Sequence, residues 1–135
     1  MKKTTKVFAM LLFVLSLAAL TSCKKTNEQL IIGKWECTSA IATLDNETEN
    51  VSEFIGWVWL FNDNGIVTTE YHGEESENPV ISTAKFVIDD NQLTLTSLDN
   101  EETKVYIIKE VTNKKLLIEL PIEGNSSLSL EFKRV

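Results

Sequence analysis

The residues best suited to nucleophilic or metal chemistry in this 135-residue chain are few: Cys23, Cys37 and the single histidine, His72. His72 stands near Glu70, Glu74 and Glu75, which together offer one nitrogen and several oxygen ligands. Zinc sites recruit several His or Cys ligands, so a lone histidine beside an acidic stretch reads as a solvated hairpin, and no metal is expected. A Ser-His-Asp or Cys-His pairing would have to use His72, and no partner is marked for it. Cys37 alternates with Trp35, which predicts that both face inward, the thiol as inert packing. No phosphate-cradling glycine loop or dinucleotide fingerprint occurs. The chain is therefore expected to hold no catalytic residues and no cofactor, and not to be an enzyme. What remains is apolar chemistry. Trp57, Trp59 and Phe61 share one face of an extended stretch. They either wall a cavity for an apolar ligand or fill the interior, and alternation alone leaves both readings open.

Cys23 has a different context. Lys2, Lys3 and Lys6 precede an apolar run from Val7 to Ala19, interrupted only by Ser16. That is the layout of a secretory signal peptide, and the run is shorter than the ~20 residues of a membrane-spanning helix. The end of the run, Leu20-Thr21-Ser22-Cys23, resembles the lipobox of bacterial lipoproteins. The resemblance implies cleavage before Cys23 and a diacylglycerol on its thiol, with residues 1–22 as signal peptide and 23–28 as anchor and tether. Stable attachment takes two or more acyl chains, at about 0.8 kcal/mol per buried methylene. Lys24 stands where an Asp marks inner-membrane retention in enterobacterial lipoproteins. The expected location is thus the outer membrane, on its periplasmic face.

Removal of residues 1–22 leaves 113 residues, the size of one domain, assigned to 29–135. All 20 acidic residues and ten of the 13 basic ones lie beyond the leader, a net charge of about −10. Such a surface repels phosphate, and no Lys/Arg stripe alternates with aromatics, so no nucleic-acid partner is expected. Acylation of Cys23 would leave Cys37 without an intramolecular disulfide partner. The domain must then rest on its hydrophobic core.

The elements that position these residues read as short strands. Asn62-Asp63-Asn64-Gly65 is a hairpin signal, because Asn and Gly accept positive φ. Polar turn clusters recur at 89–92, 99–102, 113–114 and 123–126, the rhythm of an antiparallel β protein. The predicted strands are 33–44, 54–61, 66–72, 80–88, 92–98, 103–111, 115–120 and 127–134. Longer polar gaps are expected at 45–53 and 73–79. Alternation is plain in Leu128, Leu130 and Phe132 and in Leu93 and Leu95. Residues 105–108 are apolar on both faces, and Val105 and Ile107 are taken here as the inward pair. The fold class is all-β. Eight strands in sequential hairpins favour an antiparallel up-and-down β-barrel, which removes sheet edges, over a two-sheet β-sandwich.

Gly33-Lys34-Trp35, at the start of the first strand, resembles the Gly-x-Trp motif that opens lipocalin barrels. The resemblance implies a short helical turn before the motif, which 28–32 could supply, and a tryptophan packed across the barrel base. It also implies a basic side chain stacked on that tryptophan. Arg134, the sole arginine, ends the last predicted strand and fits that part. The structural base would thus be Gly33, Trp35 and Arg134. The domain looks like the small lipocalin-like domains of bacterial lipoproteins, without the family's Thr-Asp-Tyr signature or C-terminal helix.

Two function classes follow. One is a membrane-anchored protein whose barrel takes a small apolar ligand, with Trp57, Trp59 and Phe61 as its wall. The other is a filled barrel that serves as an interaction module or inhibitor for an envelope protein. A cavity of about 300 Å³ or more, open at one end, separates the first from the second.

Overall fold

The computed structural model describes residues 25–72 and 78–135. The leader, Cys23 and the acidic residues Glu74, Glu75 and Glu77 lie outside them. A short helix, α1 (Asn27–Ile31), precedes nine strands: β1 (Gly33–Leu44), β2 (Glu47–Asn50), β3 (Val58–Phe61), β4 (Ile66–Tyr71), β5 (Val80–Asp89), β6 (Gln92–Ser97), β7 (Thr103–Val111), β8 (Lys115–Ile122) and β9 (Ser126–Arg134). From β3 to β9 each strand pairs antiparallel with the next, and β9 returns to pair with β1 along Trp35↔Arg134 to Thr43↔Ser127. The result is a closed eight-stranded barrel of β1 and β3–β9, which answers the choice between barrel and sandwich. The strand β2 adds a short hairpin to the far half of β1.

That hairpin corrects the sequence reading at two places. Residues 45–53, expected as a polar gap, contain β2. Asp45 and Asn46 both take positive φ (48° and 70°), the two-residue turn that matches strand twist. The signal was weak because the turn has no glycine and β2 has no buried residue. The predicted strand 54–61 is paired only from Val58. Ser52–Phe54 forms a 3₁₀ turn, and Gly56 at φ 91° carries the chain back to the barrel. Hydrogen bonds from Cys37 N to Trp57 O (2.8 Å) and from Gly56 N to Cys37 O (2.9 Å) hold this excursion on β1. Thus β2 and β3 are two halves of one barrel staff, both on the same edge of β1.

The other edge of β1, paired with β9, carries a second irregularity. A bulge between Cys37 and Ser39 shifts its alternation by one residue. Trp35 and Cys37 face inward before it, and Ala40 after it. Ile31, Trp35, Val67, Leu93, Leu116 and Ile118 of the core are wholly buried. On β7 the inward pair is Tyr106 and Ile108; Val105 is 42% exposed, contrary to the phase read from sequence. Both faces of that stretch are apolar, so period two could not choose. Register chooses: Leu93 pairs directly with Tyr106, and paired residues share a face.

Candidate functional site

The two ends of the barrel differ. One is closed by α1 and by the turns β3–β4, β5–β6 and β7–β8; the end of β4, the start of β5 and the turns β6–β7 and β8–β9 surround the other. Thr26 caps α1 with a reciprocal Thr26–Gln29 capping box, which defines so short a helix from its first residue. Asn27 Nδ2 donates to Asp90 O (3.0 Å) and pins the helix to the β5–β6 turn.

At the closed end three consecutive carbonyls leave the helix with no intrahelical donor. Trp35 Nε1 donates to Ile31 O (2.8 Å). Arg134 Nη2 donates to Leu30 O (2.5 Å) and Nη1 to Ile32 O (2.8 Å). The guanidinium carbon lies 4.2 Å above the Trp35 ring, and Nε donates to Asn113 O (2.7 Å). One arginine therefore joins the helix C-terminus, the indole and the β7–β8 turn. A cation at a helix C-terminus also meets the negative end of its dipole. Gly33 is required here twice. Its φ of +134° is a glycine conformation, and a Cβ on it would run into Nη1 of Arg134.

At the open end is a cavity of about 250 Å³. Trp57, Trp59, Ala84, Leu95 and Tyr106 form its apolar wall; Thr69, Ser82, Thr83 and Ser97 add hydroxyls; Asn100, Glu102 and Lys104 stand at its rim. Trp57 stacks on Tyr71 (centroids 4.5 Å, 20° between planes) and meets Phe54 at 4.8 Å, so it is held at the mouth. Trp59 is 4% exposed and contacts Phe132 (5.0 Å), Tyr106 (5.8 Å) and Phe61 (6.1 Å). It forms the floor, because Phe61 and Phe132 are buried and absent from the lining. Phe61, grouped with the two tryptophans on sequence, instead packs edge-on to Phe86 (5.0 Å) beneath that floor. Period two gave the shared inward face but not the depth.

Sequence reasoning missed Tyr106, Lys104 and Glu102. These residues alternate along one phase of β7 and the turn before it, opposite to the Val105/Ile107 phase expected from sequence. The Trp59 indole nitrogen is buried with no hydrogen-bond partner among the described residues. The Tyr106 phenol is pushed up from 10.0 to about 12 by burial, so it stays a hydrogen-bond donor. His72 Nε2 lies 3.8 Å from Glu70 Oε1 with both side chains open to solvent. Among the described residues no three His, Cys, Asp or Glu gather as a metal site.

Charge is also uneven. Exposed Asp45, Glu47, Asp99, Glu101, Glu102 and Glu123 crowd the open end, where Lys104 is set among them. Toward the closed end, Lys34, Lys114, Lys133 and Arg134 are interspersed with Glu28, Asp63, Asp89 and Asp90, so the two signs are mixed there.

Cys37 is buried, with its thiol donating to Ser39 O (3.5 Å). Burial pushes that thiol up from 9.0 to about 11, assisted by the negative charge of Glu131. Cys37 and Tyr106 both hold their protons more tightly folded than unfolded. Their stabilisation is present in full below pH 9 and is lost as pH rises through 9 to 12. The expected result is that wild type loses more stability than Cys37→Ala between about pH 8 and 10.5, by urea melts at each pH. Parallel losses would show that the thiol does not titrate with unfolding.

Residues 31–118 match the model of the lipocalin-like domain. Among solved structures, the chain is similar to a lipocalin-like protein from Bacteroides uniformis (TM-score 0.61, 12% identity, 78% of this chain and 99% of that one). It is similar to an uncharacterized protein from Bacteroides eggerthii (TM-score 0.57, 13% identity, 77% and 98%). It also resembles bovine odorant binding protein, solved with a selenium-containing odorant (TM-score 0.52, 16% identity, 83% and 74%). These identities speak for the fold alone. No curated protein matches the chain in sequence. With its closed barrel, its helix-capped base and a family match over most of its length, the chain belongs to the lipocalin-like domain family.

Proposed function

We propose that this protein is a lipid-anchored envelope lipoprotein that binds a small hydrophobic ligand at the open end of its barrel and catalyses no reaction. What supports the reading is the cavity between the rim and the Trp59 floor, with its aromatic residues and its opening at one end; its volume of about 250 Å³ falls short of the ~300 Å³ that separates the two classes. Ligand pockets combine an apolar wall with placed polar groups; here Trp57, Trp59, Ala84, Leu95 and Tyr106 give the apolar part, and seven polar or charged residues give the rest. Its volume is slightly below the range of drug-sized sites, which suits a small occupant. The odorant in the bovine protein of similar fold is in keeping with this use of the barrel.

The anchor follows from the lipobox resemblance at Cys23. Cys23 stands three residues before the helix cap Thr26, a reach of about 10 Å. An acyl group there would hold the closed end against the bilayer and turn the acidic mouth away from it. Lys24 and Lys25 would favour anionic head groups by about 1 kcal/mol each. The ligand would then enter from the aqueous side, on the periplasmic face of the outer membrane.

Native mass spectrometry of the protein extracted from its own host's membranes tests both parts. The expected spectrum carries an acylated N-terminus and a non-covalent small molecule released by gentle activation. Cys23→Ala is expected to lose the acyl mass and to leave the membrane fraction. An unmodified N-terminus would overturn the anchor, and a bare protein under every extraction would overturn the carrier reading.

A further inference from the structure

We infer that the open end of the barrel is a docking surface for a second protein, one that presents an apolar centre ringed by lysine or arginine. The turns carry this, whatever the cavity holds. They are built differently at the two ends. At the closed end β3–β4, β5–β6 and β7–β8 show no exposed aliphatic side chain. Phe61 and Val111, which lead into two of them, pack into or against the core, and Asp89 leads into the third. At the open end Leu44, Leu98 and Ile122 stand at the β1–β2, β6–β7 and β8–β9 turns, 53%, 47% and 47% exposed. Exposed Val80 and Ile81 at the start of β5 extend the same lip.

No turn geometry asks for these aliphatics. The reversals are made by their neighbours, with Asp45, Asn46, Glu101 and Gly124 at positive φ. Apolar residues scattered singly over a surface are ordinary, whereas a contiguous group with a polar border marks an interaction site.

The border here is acidic. Each turn aliphatic is followed at once by a carboxylate: Leu44-Asp45, Leu98-Asp99 and Ile122-Glu123. All three carboxylates are exposed, and none pairs with a cation among the described residues. The barrel wall is different. Glu36, Glu110, Glu119 and Glu131 each hold a lysine within 3.7 Å. Negative charge is met inside the chain along the wall and is left unmet at the lip.

An apolar centre with a charged rim is the anatomy of protein–protein interfaces, and complementary charge around it steers encounter. A second copy of this chain fits badly, because an end-to-end contact would bring these carboxylates face to face. A phospholipid surface fits badly too, because anionic head groups meet the same repulsion. A basic protein surface with an apolar centre satisfies both the aliphatics and the carboxylates.

Site-specific photocrosslinking of the full chain in cells of its own host tests this, with p-benzoylphenylalanine placed at Leu98 or at Ile122. Val87, exposed on the wall near the closed end, is the control position. Leu98 and Ile122 are expected to give the same protein adduct, and Val87 none. The partner, identified by mass spectrometry and purified, is then titrated with this protein extracted from the same host. Leu98→Ser combined with Ile122→Ser should weaken binding about tenfold or more, as for apolar residues at an interface centre. Asp99→Asn combined with Glu123→Gln should slow association and flatten its salt dependence. Thermal melts of both variants should match the wild type, because all four side chains are exposed. No adduct at either lip position, the same adducts from Val87, or an adduct to lipid or to a copy of this chain would overturn the inference. So would a purified partner whose binding ignores both pairs of substitutions.

Discussion

Trp35→Ala is expected to lower the free energy of unfolding by about 3–5 kcal/mol, the range for deleting a buried aromatic side chain. Trp35 is 0% exposed and sits where β1 pairs with both β3 and β9, opposite Trp59 and Arg134. Its loss removes apolar burial beside the wholly buried Ile31, Val67, Leu93 and Leu116 of the core cluster. It also strips the Nε1 donor from Ile31 O and the aromatic face from beneath Arg134. Trp35→Phe should retain most of the packing and fail only at the hydrogen bond, costing about 1–2 kcal/mol. Urea melts followed by far-ultraviolet circular dichroism, which does not depend on the deleted fluorophore, measure both. A silent Trp35→Ala would mean that α1 and the base contribute nothing to global stability.

Arg134→Ala is expected to cost about 2–4 kcal/mol, more than a cation–π contact alone provides. The reason is the set of carbonyls it serves. Leu30 O, Ile32 O and Asn113 O all accept from one guanidinium. Without it the helix C-terminus loses its partners for two of three carbonyls, and the β7–β8 turn loses its tie to the base. Arg134→Lys should recover less than half of the loss. An ammonium is a point charge on a flexible stem and cannot span three carbonyls while lying flat on an indole. Because Trp35 and Arg134 are in contact, the two losses should not add, and a double-mutant cycle is expected to show coupling of about 1–2 kcal/mol. Additive losses would show that the stacking carries no energy of its own.

The fold was largely legible in the sequence. Alternation in residues such as Leu93, Leu95, Leu128, Leu130 and Phe132, with Asn64-Gly65 and the other polar turn clusters between strands, places the all-β barrel. These are local signals, one side chain against the next. The helix before β1 was legible in part, and Thr26 with Gln29 shows why its first residue is so well defined. The second staff of the barrel was not. Its break into β2 and β3 comes at the Ser52–Phe54 turn and Gly56, held on Cys37 of β1 beside the bulge against β9, a meeting of two distant irregularities.

What the sequence by itself determined is the alternation of inward and outward residues, the turns, and the acidic balance of the domain. Each is fixed by a residue and its near neighbours. What only the tertiary structure decided is phase and depth. Register against Leu93 turned Tyr106 inward and Val105 outward, although both phases of that stretch are apolar. Trp57, Trp59 and Phe61 share a face, yet they came to lie at the mouth, at the floor and beneath the floor. Closure sets these positions, since the level at which an inward side chain is stopped depends on the rings that meet it from the far wall. The cavity exists because Phe132, Tyr106 and Phe61 meet Trp59 partway down the barrel, a condition written in no single segment.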